Sequence, residues 1–413
     1  MSKPLVNVVG LGYIGLPTAM MMASHGVNVV GTDFKKSLVD TLNSGKMTFQ
    51  EDGIDELFKK ALASGIKFST EYQKADVYII CVATPYDKDT KRVDASFVVA
   101  AVKNVLEVCD KGAIVVVEST VPPGTMDKYV RPVLDLYGFI DGQDIHLVHA
   151  PERIIPGNMV RELEDNSRTI GADDPAIGEK VKDIYKSFCK GDIEVTDIRT
   201  AEMTKVVENT YRDINIAFAN ELLKICRSDN LDVYEIIRIA NKHPRVNILS
   251  PGPGVGGHCI SVDPWFLVGD YPELANMVRM ARHTNDGMPD YVLERVYALL
   301  RAHKLTPDRV GFYGLTYKED VDDVRDSPAL QLVELMHQRL AGTPKCFDPM
   351  LETEIIEGQY LDFDKFLKDI DVLVVMVRHA HLQKNLDKIK GKIILDTRKC
   401  PFDFQESNVV TLL

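Results

Sequence analysis

Residues Val6–Pro17 read VNVVGLGYIGLP, an apolar strand running into a glycine-punctuated turn and then a helix. Gly10, Gly12 and Gly15 have the spacing GxGxxG. The first glycine suits a tight turn, the second lets backbone approach a pyrophosphate, and the third lets helix and strand pack closely. The helix begins where the phosphates would lie, and its unpaired N–H groups and dipole favour negative charge there. The next apolar segment, VNVVGTD, ends on Asp33, at about the 20-residue spacing of an acid that grips an adenosine ribose diol. An acid there repels a 2′-phosphate, so NAD is expected rather than NADP. Lys35 and Lys36 follow and soften that repulsion.

The alternation continues outward from this motif. LVNVVG, VNVVGTD, DVYIICV, AIVVVES and IHLVHA read as strands separated by amphipathic helices over roughly the first 195 residues, the texture of a parallel sheet covered on both faces. STVPPGT (119–125) follows the fourth of these strands, at the carboxyl edge where open α/β sheets bind ligands. A long helix is expected from about Arg199 to Cys226, with Met203, Val206, Val207, Ile214, Ala217, Phe218, Leu222 and Leu223 nearly encircling it. A helix apolar all round has to be buried, and a connecting helix finds little to bury it except a partner subunit. From Asp308 the alternation resumes with RVGFYGL, TPKCFDP, DVLVVMV and KIILDT. ADVYIICVATP echoes IDVLVVMVRHA, and VVGTDF echoes PKCFDP. The fold expected is α/β: two Rossmann-like doubly wound domains joined by a long central helical dimerisation region. The boundaries are 1–195, 196–300 and 301–413.

Bulk properties narrow the partners. The 413 residues carry a formal charge of −12, which argues against nucleic acid because phosphate backbones want a basic face. The apolar runs are too short to span a bilayer, and no signal peptide is read, so no membrane partner is expected. The seven cysteines (81, 109, 189, 226, 259, 346, 400) form no CxxC pair. That is neither a zinc framework nor a disulfide scaffold, and it suits the reducing cytoplasm. No metal is expected.

The residues with chemistry cluster around GPGVGGHCISVDPWF (252–266). Cys259 follows Gly256, Gly257 and His258. Most free cysteines are inert small hydrophobes, but a glycine-rich setting is costly unless backbone must approach something closely. A metal reading needs further ligands at metal spacing, and only His258 is adjacent. Lys205 and Asn209, four apart, share one face of the long helix, as would two residues of a solvated face. Glu152 in HAPERIIPG sits at the carboxyl edge of a strand, and Asp263 in SVDPW is either an acid with a role or a turn former. The second α/β domain lacks the full glycine fingerprint, and Lys318 and Arg325 are the cations at its strand edge.

GLGYIGLP, STVPPGT, APERIIPG, AEMTKVVENTYR, PGPGVGGHCISVDP and GLTYKEDVDDVRDSP, in this order and spread over nearly the whole chain, resemble the nucleotide-sugar 6-dehydrogenase family, which includes UDP-glucose and GDP-mannose dehydrogenases. The resemblance implies an NAD-dependent, two-step oxidation of a sugar's primary alcohol to a carboxylate, in a homodimer or larger homo-oligomer. It makes Cys259 the nucleophile. Lys205 and Asp263, with Asn209 and water, handle the alcohol proton and the oxyanion, and Glu152, with Thr120, assists thioester hydrolysis. It assigns Gly10, Gly12, Tyr13, Ile14, Gly15, Asp33, Thr84, Thr120 and Arg325 to the cofactor. Glu152, Arg153, Lys205, Asn209, Gly256, His258 and Lys318 go to the UDP-sugar, and Arg245 to a neighbouring subunit's sugar site. UDP-glucose enzymes carry Pro and Lys after the cysteine, whereas this chain has Ile260, Ser261 and Val262 before Asp263. That tail resembles the branch acting on 2-acetamido sugars. The substrate expected first is UDP-N-acetyl-D-mannosamine, then UDP-N-acetylglucosamine, then UDP-glucose. The competing class is a catalytically silent binding protein that regulates a partner, and retention of Cys259, Lys205, Asp263 and Glu152 together favours the enzyme.

Overall fold

The computed structural model describes residues 4–155, 157–257, 259–340 and 344–413, and the chain divides into two compact units, Met1–Glu208 and Asn209–Leu413. The first holds strands β1 (Leu5–Val9), β2 (Asn28–Thr32), β3 (Lys67–Ser69), β4 (Val77–Ile80), β5 (Ala113–Val117), β6 (Ile145–His149), β7 (Arg168–Ala172) and β8 (Ile193–Thr196). They form one sheet in the order β3-β2-β1-β4-β5-β6-β7-β8, parallel throughout except between β6 and β7. The strands are apolar on both sides because both faces are covered. Val6, Val8, Ile79 and Val116 enter one core with helices α1 (Gly15–Ser24), α2 (Lys36–Asn43) and α3 (Ile54–Ala63). Val9, Tyr78, Ile80, Val115 and Val117 enter the other, with α4 (Ser96–Val108) and α5 (Arg131–Leu136). Helices α6 (Met159–Asp165) and α7 (Pro175–Tyr185) complete the first core.

The strand order reverses between β1 and β4, and the glycine turn lies there. Gly10 has φ +91°, and a Cβ on it would stand 2.6 Å from the Cys81 carbonyl oxygen. A Cβ on Gly15 would stand 1.9 Å from the Gly10 carbonyl oxygen and 2.8 Å from Cys81 Cβ, so α1 packs at backbone distance on the ends of β1 and β4. Around Gly12 a Cβ would meet nothing within 4 Å. The three glycines thus do three different things, as the motif requires.

Helix α8 (Ile198–Ser228) carries the chain from the first unit into the second. It is followed by α9 (Val233–Ala240), α10 (Asp263–Asp270), α11 (Asn276–Asp286) and α12 (Met288–His303). The second sheet comprises β9 (Val310–Tyr313), β10 (Lys345–Phe347), β11 (Gln359–Tyr360), β12 (Val372–Val375), β13 (Ile393–Asp396) and β14 (Val409–Leu412), with α13 (Pro328–Leu340) after β9. It is parallel in the order β11-β10-β9-β12-β13-β14, the same order as the first six strands of the first sheet. The sequence echo has a structural counterpart: β4 and β12 each lie beside the first strand of their sheet, and Asp33 and Asp348 each end the second. Gly314 repeats Gly10, with φ +90° and a Cβ position 2.8 Å from the Val377 backbone nitrogen.

Within the single chain, helix α8 is buried on one side only. Val206, Ala217 and Leu223 are buried, but Val207, Tyr211, Phe218 and Ile225 are 47–62% exposed. Their spacing of four, seven and seven residues lines them along one face.

The glycine geometry sets a direct test. Gly15→Ala is expected to lower thermal stability by about 1–3 kcal/mol or more, because the methyl group would meet the Gly10 carbonyl and Cys81 Cβ, neither of which can swing aside. Gly12→Ala should stay within about 0.5 kcal/mol of the parent. Thermal unfolding of the two variants checks this, and an unchanged midpoint for Gly15→Ala contradicts the close helix–strand approach.

Candidate active site

At the carboxyl edge of the first sheet, the Asp33 carboxylate is already oriented. Its Oδ2 accepts from the Leu11 amide and its Oδ1 from the Lys35 amide, both at 2.8 Å. Tyr13 rests on Phe49, with ring centroids 4.6 Å apart, and Ile14 packs against the core beneath α1. The Thr84 hydroxyl donates to the Thr120 carbonyl at 2.8 Å, and Ser119 donates to Val82 at 2.7 Å. The loops after β4 and β5 are therefore joined. The open space at Gly12, the left-handed turn at Gly10 and the oriented Asp33 fit a dinucleotide: room for phosphates, an anion-favouring helix start and an acceptor for the ribose hydroxyls.

Beneath this edge lies a buried charge cluster. Glu152, after β6, accepts on Oε1 from its own following amides, Arg153 at 2.6 Å and Ile154 at 3.2 Å. Its Oε2 is 2.5 Å from Arg168 Nη2 on β7, and Arg168 Nη1 is 3.4 Å from Glu118 Oε1 at the end of β5. Glu118 also accepts from Tyr185 Oη at 3.1 Å and Cys81 Sγ at 3.0 Å. Burial, then the nearby Glu152 charge, pushes the Glu118 carboxyl above the usual carboxylate range. Burial likewise keeps the Cys81 thiol and the Tyr185 phenol protonated. Arg153 is occupied by protein: it donates to Ser167 O and Thr169 Oγ1 and pairs with Glu208 at 2.7 Å.

Lys205 is buried on α8, one turn before Asn209. Three residues before Lys205 the helix presents Glu202, which accepts from the Gly124 amide at 2.5 Å and the Met126 amide at 2.9 Å and so pins STVPPGT. Burial raises the Glu202 carboxyl to about 7 despite these donors.

In the second unit the glycine loop leads into α10. The Cys259 carbonyl accepts from the Val262 amide at 3.1 Å and the Asp263 amide at 2.8 Å, so the half-buried Cys259 occupies the turn immediately before the helix. The N-terminal end of a helix favours negative charge. Asp263, the first helical residue, is buried, and Asn209 Nδ2 donates to its Oδ2 at 2.6 Å. The glycines permit close packing. A Cβ on Gly256 would stand 2.8 Å from the Asp326 carbonyl oxygen, while Gly257 has φ +81°, lies against the Tyr317 ring and donates its amide to Arg325 O at 3.0 Å. A buried polar chain secures both ends of the loop. Arg282 donates to Asp213 at 2.5 Å and reaches the Ile260 carbonyl at 3.5 Å. Asn285 donates to Asp213, Asn220 donates to Asn285, and the Gly252 amide donates to Asn220 at 2.9 Å.

Lys318 and Arg325 lie in the segment after β9, with Arg325 paired to Asp323. Arg245 is exposed in the turn after α9. His258 lies outside the described residues. Asp348, the counterpart of Asp33, is buried. It accepts from the Leu315 and Thr316 amides at 2.6 and 3.0 Å and faces His379 at 3.3 Å. Burial opposes its charge, but His379 and the amide donors outweigh burial and hold the carboxyl below the usual range. Sequence reasoning missed Glu118, Arg168 and Glu202. The available signal was a charged residue abutting an unbroken apolar strand, as in AIVVVES and RTIGA.

Residues 5–189 match the NAD binding domain model of the UDP-glucose/GDP-mannose dehydrogenase family, 199–287 its central domain and 311–402 its UDP binding domain. A protein of Ralstonia nicotianae named NDP-N-acetyl-D-galactosaminuronic acid dehydrogenase is 41% identical over 405 residues, 95% of each chain. A UDP-N-acetyl-D-mannosamine dehydrogenase of Methanococcus vannielii is 41% identical over 95% of this chain and 92% of its own. The solved structure of the UDP-N-acetyl-mannosamine dehydrogenase of Staphylococcus aureus superposes with a TM-score of 0.88 at 42% identity, covering 99% of this chain and 98% of that one.

Proposed function

This chain belongs to the UDP-glucose/GDP-mannose dehydrogenase family and is an NAD-dependent nucleotide-sugar dehydrogenase, and we propose that it oxidises the primary alcohol of UDP-N-acetyl-D-mannosamine to the carboxylate of UDP-N-acetyl-D-mannosaminuronate. The observation that carries this reading is Cys259, held by close-packed glycines directly before a helix whose first residue, Asp263, is buried and fixed by Asn209. Relatives named for N-acetylhexosamine substrates at about the same identity, and the CISVDPWF tail, support a 2-acetamido sugar.

Bound NAD supplies the hydride acceptor for each oxidation. Lys205, with Asp263 and Asn209 and water, takes the alcohol proton and stabilises the oxyanion. The Cys259 thiolate adds to the aldehyde, giving a carbon that again bears a hydrogen and an oxygen, so a second hydride can leave and a thioester forms. Glu152, with Thr120, activates the water that hydrolyses the thioester and frees the thiol. Gly10, Gly12, Tyr13, Ile14, Gly15, Asp33, Thr84 and Arg325 serve the cofactor. Arg153, Gly256, His258 and Lys318 serve the UDP-sugar, and Arg245 a neighbouring subunit's sugar. The domains on this reading are 1–195 for NAD, 196–300 for dimerisation and 301–413 for the UDP-sugar. Among the described residues no helix is long and apolar enough to cross a membrane. The seven free cysteines suit a cytoplasmic enzyme.

The exposed stripe Val207, Tyr211, Phe218 and Ile225 supports a homodimer, because an apolar helix face of this length is covered in a stable protein. Light scattering at micromolar concentration should give at least twice the chain mass, and a monomer would refute the dimer.

The reaction is tested by stoichiometry. About two NADH should form per sugar, and Cys259→Ala should abolish acid formation. In a panel of UDP-N-acetyl sugars and UDP-glucose, kcat/KM should be highest for UDP-N-acetyl-D-mannosamine. Preference for UDP-glucose would overturn the acetamido assignment, and native acid formation by Cys259→Ala would overturn the nucleophile.

A further inference from the structure

The cluster beneath the first sheet's carboxyl edge contains two buried carboxylates and a single guanidinium. Arg168 Nη2 faces Glu152 at 2.5 Å and Nη1 faces Glu118 at 3.4 Å. Glu118 has no exposed side-chain surface, and that of Glu152 is 3% exposed. One cation faces two carboxylates taken out of water, and burial, then the nearby Glu152 charge, raises the Glu118 carboxyl above the usual range. The groups facing Glu118 come from every element around it: Cys81 after β4, Arg168 on β7, Glu152 after β6 and Tyr185 on α7. Arg168 lies over the Tyr185 and Phe188 rings, 4.7 and 5.3 Å from their centroids, and near Cys189. The guanidinium is therefore held in place between its two acids.

We propose that Glu118 is a positioning residue that, through Arg168, sets how readily Glu152 takes up a proton during thioester hydrolysis. This rests on the assignment of Glu152 as the base in that step. When Glu118 is neutral, Arg168 compensates Glu152 alone and Glu152 is a weak base. When Glu118 is ionised, it competes for Arg168 and adds a second negative charge nearby, so Glu152 binds a proton more strongly. As Glu152 takes the proton from water, Arg168 is freed toward Glu118. The proton leaves again from Glu152 when the thiol is released, so no net proton stays in the cluster.

The test measures acid formation from UDP-N-acetyl-D-mannosamine against pH in the full-length enzyme, with an infrared titration of the cofactor-free protein beside it. The parent rate should rise through two carboxyl ionisations. Glu118→Gln keeps the side-chain shape but cannot ionise. It should lose the upper rise, run about three- to tenfold slower at pH 8, keep the KM for the sugar and lack the infrared band of the buried protonated carboxyl. Tyr185→Phe removes one donor to Glu118, which disfavours the ionised form, so the upper rise should move to higher pH. This second variant keeps the test open if Glu118→Gln folds poorly. A Glu118→Gln profile that retains both ionisations, or a Tyr185→Phe profile superimposable on the parent, overturns the proposal. Glu152→Gln separates the two layers. If it makes acid at the native rate, the assignment of Glu152 fails and the inference falls with it. If it is inactive while the Glu118→Gln profile is unmoved, the inference alone fails.

Discussion

Cys81 is where the first unit's structure converges. Gly10 presses on its backbone carbonyl and Gly15 on its Cβ, at distances an added side chain would not permit. Its thiol donates to Glu118, which shares Arg168 with Glu152. The crossover of β1 and β4 therefore does two things. It forms the glycine turn proposed to receive the dinucleotide, and it anchors a chain of buried polar groups that ends at Glu152, the acid proposed for hydrolysis. Buried charge of this kind costs more in desolvation than an apolar filling would, and it is weak evidence for stability as such. Its functional rationale is the proposed role of Glu152, which closes the cluster.

The two sheets show how one strand order serves different chemistry. Both follow the same pattern, and each places an acid at the end of its second strand. Asp33 keeps its carboxylate at the surface of the edge, held by two amides and open to a ribose. Asp348 is buried against Leu315, Thr316 and His379, so its acceptor capacity is spent within the protein. The second sheet keeps the first glycine of the turn, Gly314, without the rest of the fingerprint. The second sheet matches a UDP binding domain, the first an NAD binding domain.

The parts of the fold set by local pattern were legible. Every strand read from an unbroken apolar run is present, because a doubly covered parallel sheet needs such runs, and the glycine turn is where its spacing put it. Strands β3, β7, β8, β11 and β14, and with them the antiparallel step from β6 to β7, were not read, since their pairing depends on neighbours rather than on their own composition. Helix α8 was expected to be apolar all round. Within the chain the structure buries one face and leaves Val207, Tyr211, Phe218 and Ile225 exposed, a division that composition cannot express. Cys259, Asp263 and Asn209 stood out by motif, and the Asn209–Asp263 hydrogen bond joins residues 54 apart. Glu118 and Arg168 were passed over because each alone is an ordinary charged residue at a strand end. Their meaning arises only when the fold brings together residues 50 apart in sequence.

On the proposed route the sugar carbon is held on residue 259 through its second oxidation and until hydrolysis. The most direct measurement is intact mass, followed by peptide mapping, of the Cys259→Ser variant quenched after mixing with NAD and UDP-N-acetyl-D-mannosamine. An ester there hydrolyses more slowly than a thioester and should accumulate. The account predicts a species heavier by the substrate less two hydride–proton pairs, with the added mass on the peptide containing residue 259. Acid released at the native rate with no adduct at that position would contradict it.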